Sequence, residues 1–168
     1  MERNRRKAIM TLIVTLIFVL LVVGASVAAV LLGGQPEETD EYPWIISDPA
    51  AENGMLDGSH YYGPKNTESV LSYKIAETIR VNGEGKGDFR IENSGKNVCL
   101  MKAKLVLDGE TIYETDYIKP NQHILNDKLD TALPEGNYQV EALFEGFNPE
   151  TEESVGITKK TVGLEVTN

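Results

Sequence analysis

The chain has a single cysteine, Cys99, and only two histidines, His60 and His123. One cysteine excludes an internal disulfide, and two histidines exclude a multi-histidine metal centre. Neither histidine stands in a nucleophile motif, and Cys99 falls on the apolar face of its segment, so no catalytic residue is assigned. The sequence holds no Asn-x-Ser/Thr sequon. An exterior domain with neither disulfides nor sequons suits a bacterial envelope better than an animal cell surface. From Ala8 to Leu32 charge is absent altogether, and so is histidine. That stretch therefore lacks the groups an ion path or proton relay would use.

What it has instead is length. AIMTLIVTLIFVLLVVGASVAAVLL, as one helix, reaches roughly 37 Å at about 1.5 Å per residue. A hydrocarbon core of about 30 Å is spanned with room for tilt. The stub before it, residues 1–7, carries Arg3, Arg5, Arg6 and Lys7 against Glu2, whereas the far flank carries Glu37, Glu38, Asp40 and Glu41 with no base. Basic residues are retained on the cytoplasmic side, so the expectation is a single-pass protein with its N-terminus inside and its C-terminal domain outside the cell membrane. Ser26-Val27-Ala28 would suit a signal-peptidase cut, but Val30, Leu31 and Leu32 carry the apolar run past it. Its length exceeds the usual apolar region of a cleaved signal, which favours an uncleaved signal-anchor over 8–32.

Of the basic residues 12 follow the stub, and of the acidic residues 25, so the exterior portion stands at −13. Such a surface repels nucleic acid and anionic lipid. The acids Glu150, Glu152, Glu153, Asp57 and Asp108 raise the question of calcium, yet no loop has the Asp-x-Asp-x-Asp-Gly spacing with its distant Glu. They read as a solvated face. Gly83-Glu-Gly-Lys-Gly87 lies between strand patterns and not before a helix, so it reads as a hairpin and not a phosphate cradle. No metal or other cofactor is expected, and a domain of about 100 residues offers little room for a deep substrate cleft.

Residues 33–70 are broken by Gly33, Gly34, Pro36, Pro43, Pro49, Gly54, Gly58, Gly63 and Pro64 and read as an acidic stalk. Its aromatic residues Tyr42, Trp44, Tyr61 and Tyr62, with Ile45 and Ile46, read first as surfaces that dock on the following domain or pack on the headgroup layer, and second as the candidate contacts for a partner or ligand. Residues 71–168 read as some seven strands. Tyr73 to Val81 alternates, Val98 to Leu107 places Cys99, Met101, Ala103, Leu105 and Leu107 on one side, and Asp108-Gly109 signals a hairpin. Tyr138, Val140, Ala142 and Phe144 alternate after Gly136. A tyrosine just inside a strand after such a corner matches the tyrosine corner of immunoglobulin-like sandwiches, whose hydroxyl bonds back to the preceding connection. The expected fold is all-β: an immunoglobulin-like antiparallel β-sandwich on a single N-terminal transmembrane helix.

Several short stretches, in order, resemble one family. They are Asp48-Pro49-Ala50 with Gly54 and Gly58, Ile91-Glu92-Asn93, Leu100-Met101, Ile112-Tyr113, and Ile118-Lys119-Pro120 with His123-Ile124. Lys128-Leu129-Asp130, Gly136-x-Tyr138 and the region of Gly156 complete the set. The family consists of small single-pass membrane-anchored surface proteins of Gram-positive bacteria with an immunoglobulin-like exterior domain and no established activity. The resemblance spans residues 48–168, and this chain lacks the longer helical insert that the family tends to carry before its first strand. It implies an envelope setting and no catalytic residue. The expected role is a non-enzymatic module binding another envelope or surface protein. The alternative is a receptor-like module that takes a small ligand, glycan or wall polymer on the stalk aromatics.

Overall fold

The computed structural model describes residues 40–67 and 70–168. The basic stub 1–7, the anchor over 8–32 and the first part of the stalk, 33–39, lie outside the described residues. Among the described residues no helix is long and apolar enough to cross a membrane.

Nine strands follow one another: β1 (Glu52–Asn53), β2 (Tyr73–Lys74), β3 (Thr78–Asn82), β4 (Lys86–Asn93), β5 (Leu100–Leu107), β6 (Glu110–Glu114), β7 (Gln122–Lys128), β8 (Gly136–Phe147) and β9 (Ser154–Thr167). They form one sheet in the order β1-β7-β4-β3-β9-β8-β5-β6, with β2 also on β4. The path curls on itself. Phe89 of β4 meets Tyr113 of β6 at 4.5 Å between ring centroids, and Tyr73 of β2 stacks on Phe144 of β8 at 4.0 Å. Those strands are distant along the sheet, so the rings meet only because its two halves face each other.

Period-two alternation explains what lies between. Val140, Ala142 and Phe144 on β8 and Val162, Leu164 and Val166 on β9 are all buried, on the face that successive strand residues present alternately. Each fully buried large side chain contributes roughly 1.5–3 kcal/mol. On β4, Phe89 and Ile91 stand two residues apart and both turn inward, each 0 % exposed. The register with β7 shifts between Asp88 and Ile91, a bulge at which Arg90 adopts φ 51°. The hairpin at Asp108-Gly109 has φ 52° and 88°, the paired left-handed conformation that a two-residue connection demands.

Two expectations are corrected. The sheet is mixed and not antiparallel, because β3 runs parallel to β9 from Thr78↔Gly163 to Asn82↔Thr167. The stretch Tyr73–Val81 is accordingly two strands, not one. Tyr73 and Lys74 pair with β4, and after Ala76 the chain steps across so that β3 bridges β4 and β9. Alternation of side chains cannot report which neighbours a strand bonds, so the step left no mark on the pattern.

The second correction concerns the stalk. Compactness begins at Tyr42, and residues 42–168 form one unit. Asp48 is 9 % exposed; its Oδ1 accepts from Ala50 N and its Oδ2 from Asp116 N, each at 2.8 Å, while its own N–H donates to Tyr117 O. β1 pairs with β7, and Gly54 N donates to Asn121 O. Further on, a chain of carboxamides takes over. Asn93 Nδ2 donates to Cys99 O and Ile118 O at 3.1 and 2.7 Å. Asn97 Nδ2 donates to Asn93 Oδ1 and Ser72 O at 2.6 and 2.7 Å, and its Oδ1 accepts from Ser72 N and Asn66 Nδ2. Asn93 and Asn97 are both 0 % exposed. Glu92, 1 % exposed, is held by Lys74 Nζ at 2.9 Å and accepts from Leu56 N at 2.8 Å. A glycine- and proline-rich segment without periodicity is thus held by polar anchors, which hydrophobic pattern does not reveal.

Two predictions follow from this packing. Asn97→Ala leaves the buried Asn93 Oδ1 and the Ser72 N–H without their partner, while Ser72 O keeps its bond from Ser94 N, so denaturant unfolding should show a loss of about 3 kcal/mol. Substitution of the exposed Asn126 by Ala should stay within about 0.5 kcal/mol. Tyr113 donates to Asp127 Oδ2 at 2.8 Å, and burial first, that bond second, raises its phenol far above the ordinary 10.0. Its contribution is full below pH about 10 and is lost as pH rises beyond, because the unfolded chain then gains by ionising Tyr113 while the folded one resists. Alkaline titration of stability should fall above that pH, and Tyr113→Phe should flatten the fall while costing about 1 kcal/mol at neutral pH.

Candidate functional site

Three connections meet beside the segment that starts at Tyr42: the β4–β5 turn around Val98, the residues Asp116–Ile118 after β6, and the β8–β9 loop around Pro149. Tyr42 Oη donates to Val98 O at 3.3 Å and Trp44 Nε1 to Pro149 O at 3.4 Å. The two rings touch edge to face, centroids 5.9 Å apart. Between them and Asp48 the chain makes a tight bend, with Ile45 N donating to Tyr42 O at 3.1 Å. Ile45 turns inward at 7 % exposure while Trp44 and Ile46 turn out, at 63 % and 87 %. Two large apolar side chains are therefore held in water by a loop that Asp48 fixes against Asp116 and Tyr117.

The neighbouring surface is also aromatic. Tyr117 and Phe147 meet edge to face at 5.5 Å, and Lys102 Nζ lies 4.6 Å from the Tyr117 ring centroid, a cation–π distance. Tyr117 Oη donates to Glu152 Oε2 at 3.4 Å. Burial, and then the charge of Glu152, raise the Tyr117 phenol above its usual value. The β8–β9 loop is itself ordered by Asn148, whose Oδ1 accepts from Glu150 N and Thr151 N, and by Glu152 at φ 56°. Its acids Glu150, Glu152 and Glu153 point outward as a rim.

Tyr61 and Tyr62 form a different group. Tyr61 is half-buried: its N–H donates to Asn121 Oδ1 at 2.8 Å, its carbonyl accepts from Asn121 Nδ2, and its hydroxyl donates to Pro64 O. Gly95 makes this possible, since a Cβ there would overlap both Asn121 Oδ1 and Tyr61 Cβ. Lys96 Nζ stands 5.7 Å from the Tyr61 ring centroid. Tyr62 is 63 % exposed and tilts against His60 at 4.6 Å. Of the four stalk aromatics, Tyr42 and Tyr61 are thus fasteners with their hydroxyls engaged, while Trp44 and Tyr62 face solvent. Sequence reading did not single out Tyr117 and Phe147 as contacts; Phe147 closes the alternation of β8, while Tyr117 follows the polar run 114–116 and offers no signal of its own.

The remaining sequence candidates are placed as follows. Cys99 is 1 % exposed beside Gly146. His123 is 9 % exposed and its Nδ1 lies 2.8 Å from Gly54 O, so that nitrogen carries the proton. Asp57 is fully exposed and accepts from Ser59 Oγ and N at 2.6 and 2.9 Å, bonds that lower its pKa. Among the described residues no group of three or more His, Cys, Asp or Glu side chains is placed to hold a metal. The Tyr138 hydroxyl donates to Pro134 O, four residues upstream, at 2.8 Å. Gly136 is not left-handed; it opens β8 opposite Val166, and a Cβ there would make ordinary van der Waals contact with the Tyr138 ring at 3.4–3.5 Å.

The chemistry available at this end of the sheet is that of contact: apolar and π surface at the centre, an ammonium beside it and carboxylates around it. No family model matches the chain, and neither the curated proteins nor the solved structures contain a match to it.

Proposed function

We propose that this chain is a non-enzymatic interaction module of a bacterial cell envelope, held on the membrane by the N-terminal anchor with its β-domain outside. It binds another surface protein through the loop end that carries Trp44 and Ile46. The observation that carries this reading is the outward placement of those two side chains on a loop pinned by Asp48. Exposure of a Trp and an Ile costs solubility, and such residues are enriched at the centre of protein interfaces when a rigid backbone presents them. Tyr117, Phe147 and Lys102 extend the patch, and Glu150, Glu152 and Glu153 give it a polar rim.

The strand order supports the immunoglobulin-like reading of the fold. β4 and β7 pair in one half, β9, β8, β5 and β6 in the other, and Tyr138 makes the upstream bond of a tyrosine corner. In sandwiches of that kind the loops at one end are the habitual binding surface, which fits the location of the patch. Tyr42 and Tyr61 spend their hydroxyls on backbone carbonyls of their own chain, which speaks against a sugar platform made of all four.

The test is crosslinking in intact cells with the full-length protein, followed by detergent purification. A stoichiometric surface protein should co-purify, survive exchange of the anchor for an unrelated one, and fall at least about tenfold with Trp44→Ala plus Ile46→Ala while the melting curve is unchanged. Recovery undiminished by the double substitution overturns the loop-end assignment. Recovery of wall polymer alone overturns the module's class in favour of a glycan receptor.

A further inference from the structure

β9 is 14 residues long and β3 only five. Their pairing begins at Gly163, whose N–H donates to Glu77 O at 2.9 Å. Before that point, from Val155 to Val162, β9 bonds to β8 on one side, and among the described residues no strand bonds to the other. In a strand the backbone groups of alternate residues face the same way, so Thr161, Lys159 and Ile157 share the outward direction of Gly163. Three N–H and three C=O groups thus lie open along an edge of eight residues.

The edge borders a cleft. Between the residues that lead into β2 and the start of β9, a space of about 300 Å³ opens. Val70 and Leu71 form one wall; Gly146, Val155, Gly156, Ile157 and Thr158 form the other. Val70 and Ile157 stand at its lip, 48 % and 63 % exposed. Gly146 and Gly156 face each other in the ladder, so no side chain stands between them, and a Cβ at Gly156 would meet nothing within 4 Å.

We propose that this edge accepts an extended segment of a partner protein as an added strand, lying beside Val155–Val162 in line with β3. Its outward-facing amide groups complete the ladder, and its inward side chains, small and aliphatic at alternate positions, enter the cleft between Leu71 and Gly156. A helix or a lipid surface could use the apolar walls but not the row of backbone donors and acceptors. Charge selects the strand. Lys159 is already paired with Glu141 at 2.8 Å, whereas Lys160 has no ion-pair partner among the described residues. The incoming segment therefore carries a carboxylate opposite Lys160. Lysine on an edge also discourages self-pairing, because two β9 edges brought together would oppose their own ammonium groups. This inference shares with the loop-end proposal the reading of the chain as an interaction module, but uses a different surface.

The experiment is amide hydrogen exchange on the full-length protein in detergent. The probe is an acetylated, amidated heptapeptide with Val at its second and sixth positions and Glu at the fourth, all on the face that Lys160 shares with Thr158 and Val162, and its control has Lys in place of that Glu. The Glu peptide should slow exchange at Ile157, Lys159 and Thr161 by at least about tenfold, and the Lys peptide should not. Thr161→Pro, at a position whose N–H makes no ladder bond, should abolish protection while the thermal transition is retained. Lys160→Glu should reverse the preference between the two peptides. Trp44→Ala with Ile46→Ala should leave protection intact, which separates this edge from the loop end. Absence of protection, protection that survives Thr161→Pro, or indifference to Lys160→Glu overturns the proposal. So does concentration-dependent protection without peptide, accompanied by dimers in sedimentation, which would make a second copy the occupant.

Discussion

Buried amide groups that have only one another to bond with hold this molecule together. Asn93 lies on β4 and Asn97 in the turn that leaves it, and between them they engage the backbones of Cys99, Ile118 and Ser72 as well as the side chain of Asn66. Every donor of these two carboxamides is used, and no buried side-chain nitrogen or oxygen among the described residues lacks a partner. In a low-dielectric interior a half-satisfied network is worse than none, so the arrangement is all or nothing. It fixes where the segment after Tyr61 crosses the sheet, where β2 begins, and how the end of β6 is set against β5. Asp48 and Glu92 repeat the same solution with carboxylates, the one holding Ala50 and Asp116, the other Leu56 and Lys74.

That solution explains what could and could not be read from the sequence. β5, β8 and β9 were legible because each buries one face, and burial writes itself into every second residue: Met101, Ala103 and Leu105, then Val140, Ala142 and Phe144. Asp108-Gly109 was legible because left-handed φ is expensive for almost any other pair. The segment from Tyr42 to Asn66 was not, since it is secured by a few polar side chains at irregular spacing, and a hydrogen bond from Asn66 to Asn97 has no period. Its glycines and prolines, which suggested an extended stalk, serve the bends that bring Asp48, Gly54 and Tyr61 back to the sheet.

The same reasoning applies to the candidate surfaces. An aromatic residue in an irregular stretch announces contact of some kind without saying with what. Tyr42 and Tyr61 turned out to fasten their own chain, and Trp44 to face away from it, although nothing in the local sequence separates them. The exposure of Ile46 depends on Ile45 next to it pointing inward, a choice made by the bend at Tyr42 and not by composition. The open edge of β9 depends on where another strand stops, which no single segment records. Both surfaces are properties of what the chain leaves uncovered once its own needs are met.

The parallel seam between β3 and β9 also has a consequence in time. Thr78 and Gly163 are neighbours in space but 85 residues apart along the chain, and Trp44 reaches Pro149 across 105. Nearly all the sheet lies between those partners, and local turns such as Asp108-Gly109 cannot hasten their meeting. Domains dominated by such distant pairings fold slowly, because loop-closure entropy is spent before the contacts repay it. During synthesis, β4 through β8 are all made before the strand that joins the two halves. Until Gly163 to Thr167 arrive, β3 has one neighbour instead of two, and its second edge stands open to any strand nearby. The molecule therefore completes itself last at its centre and not at its rim.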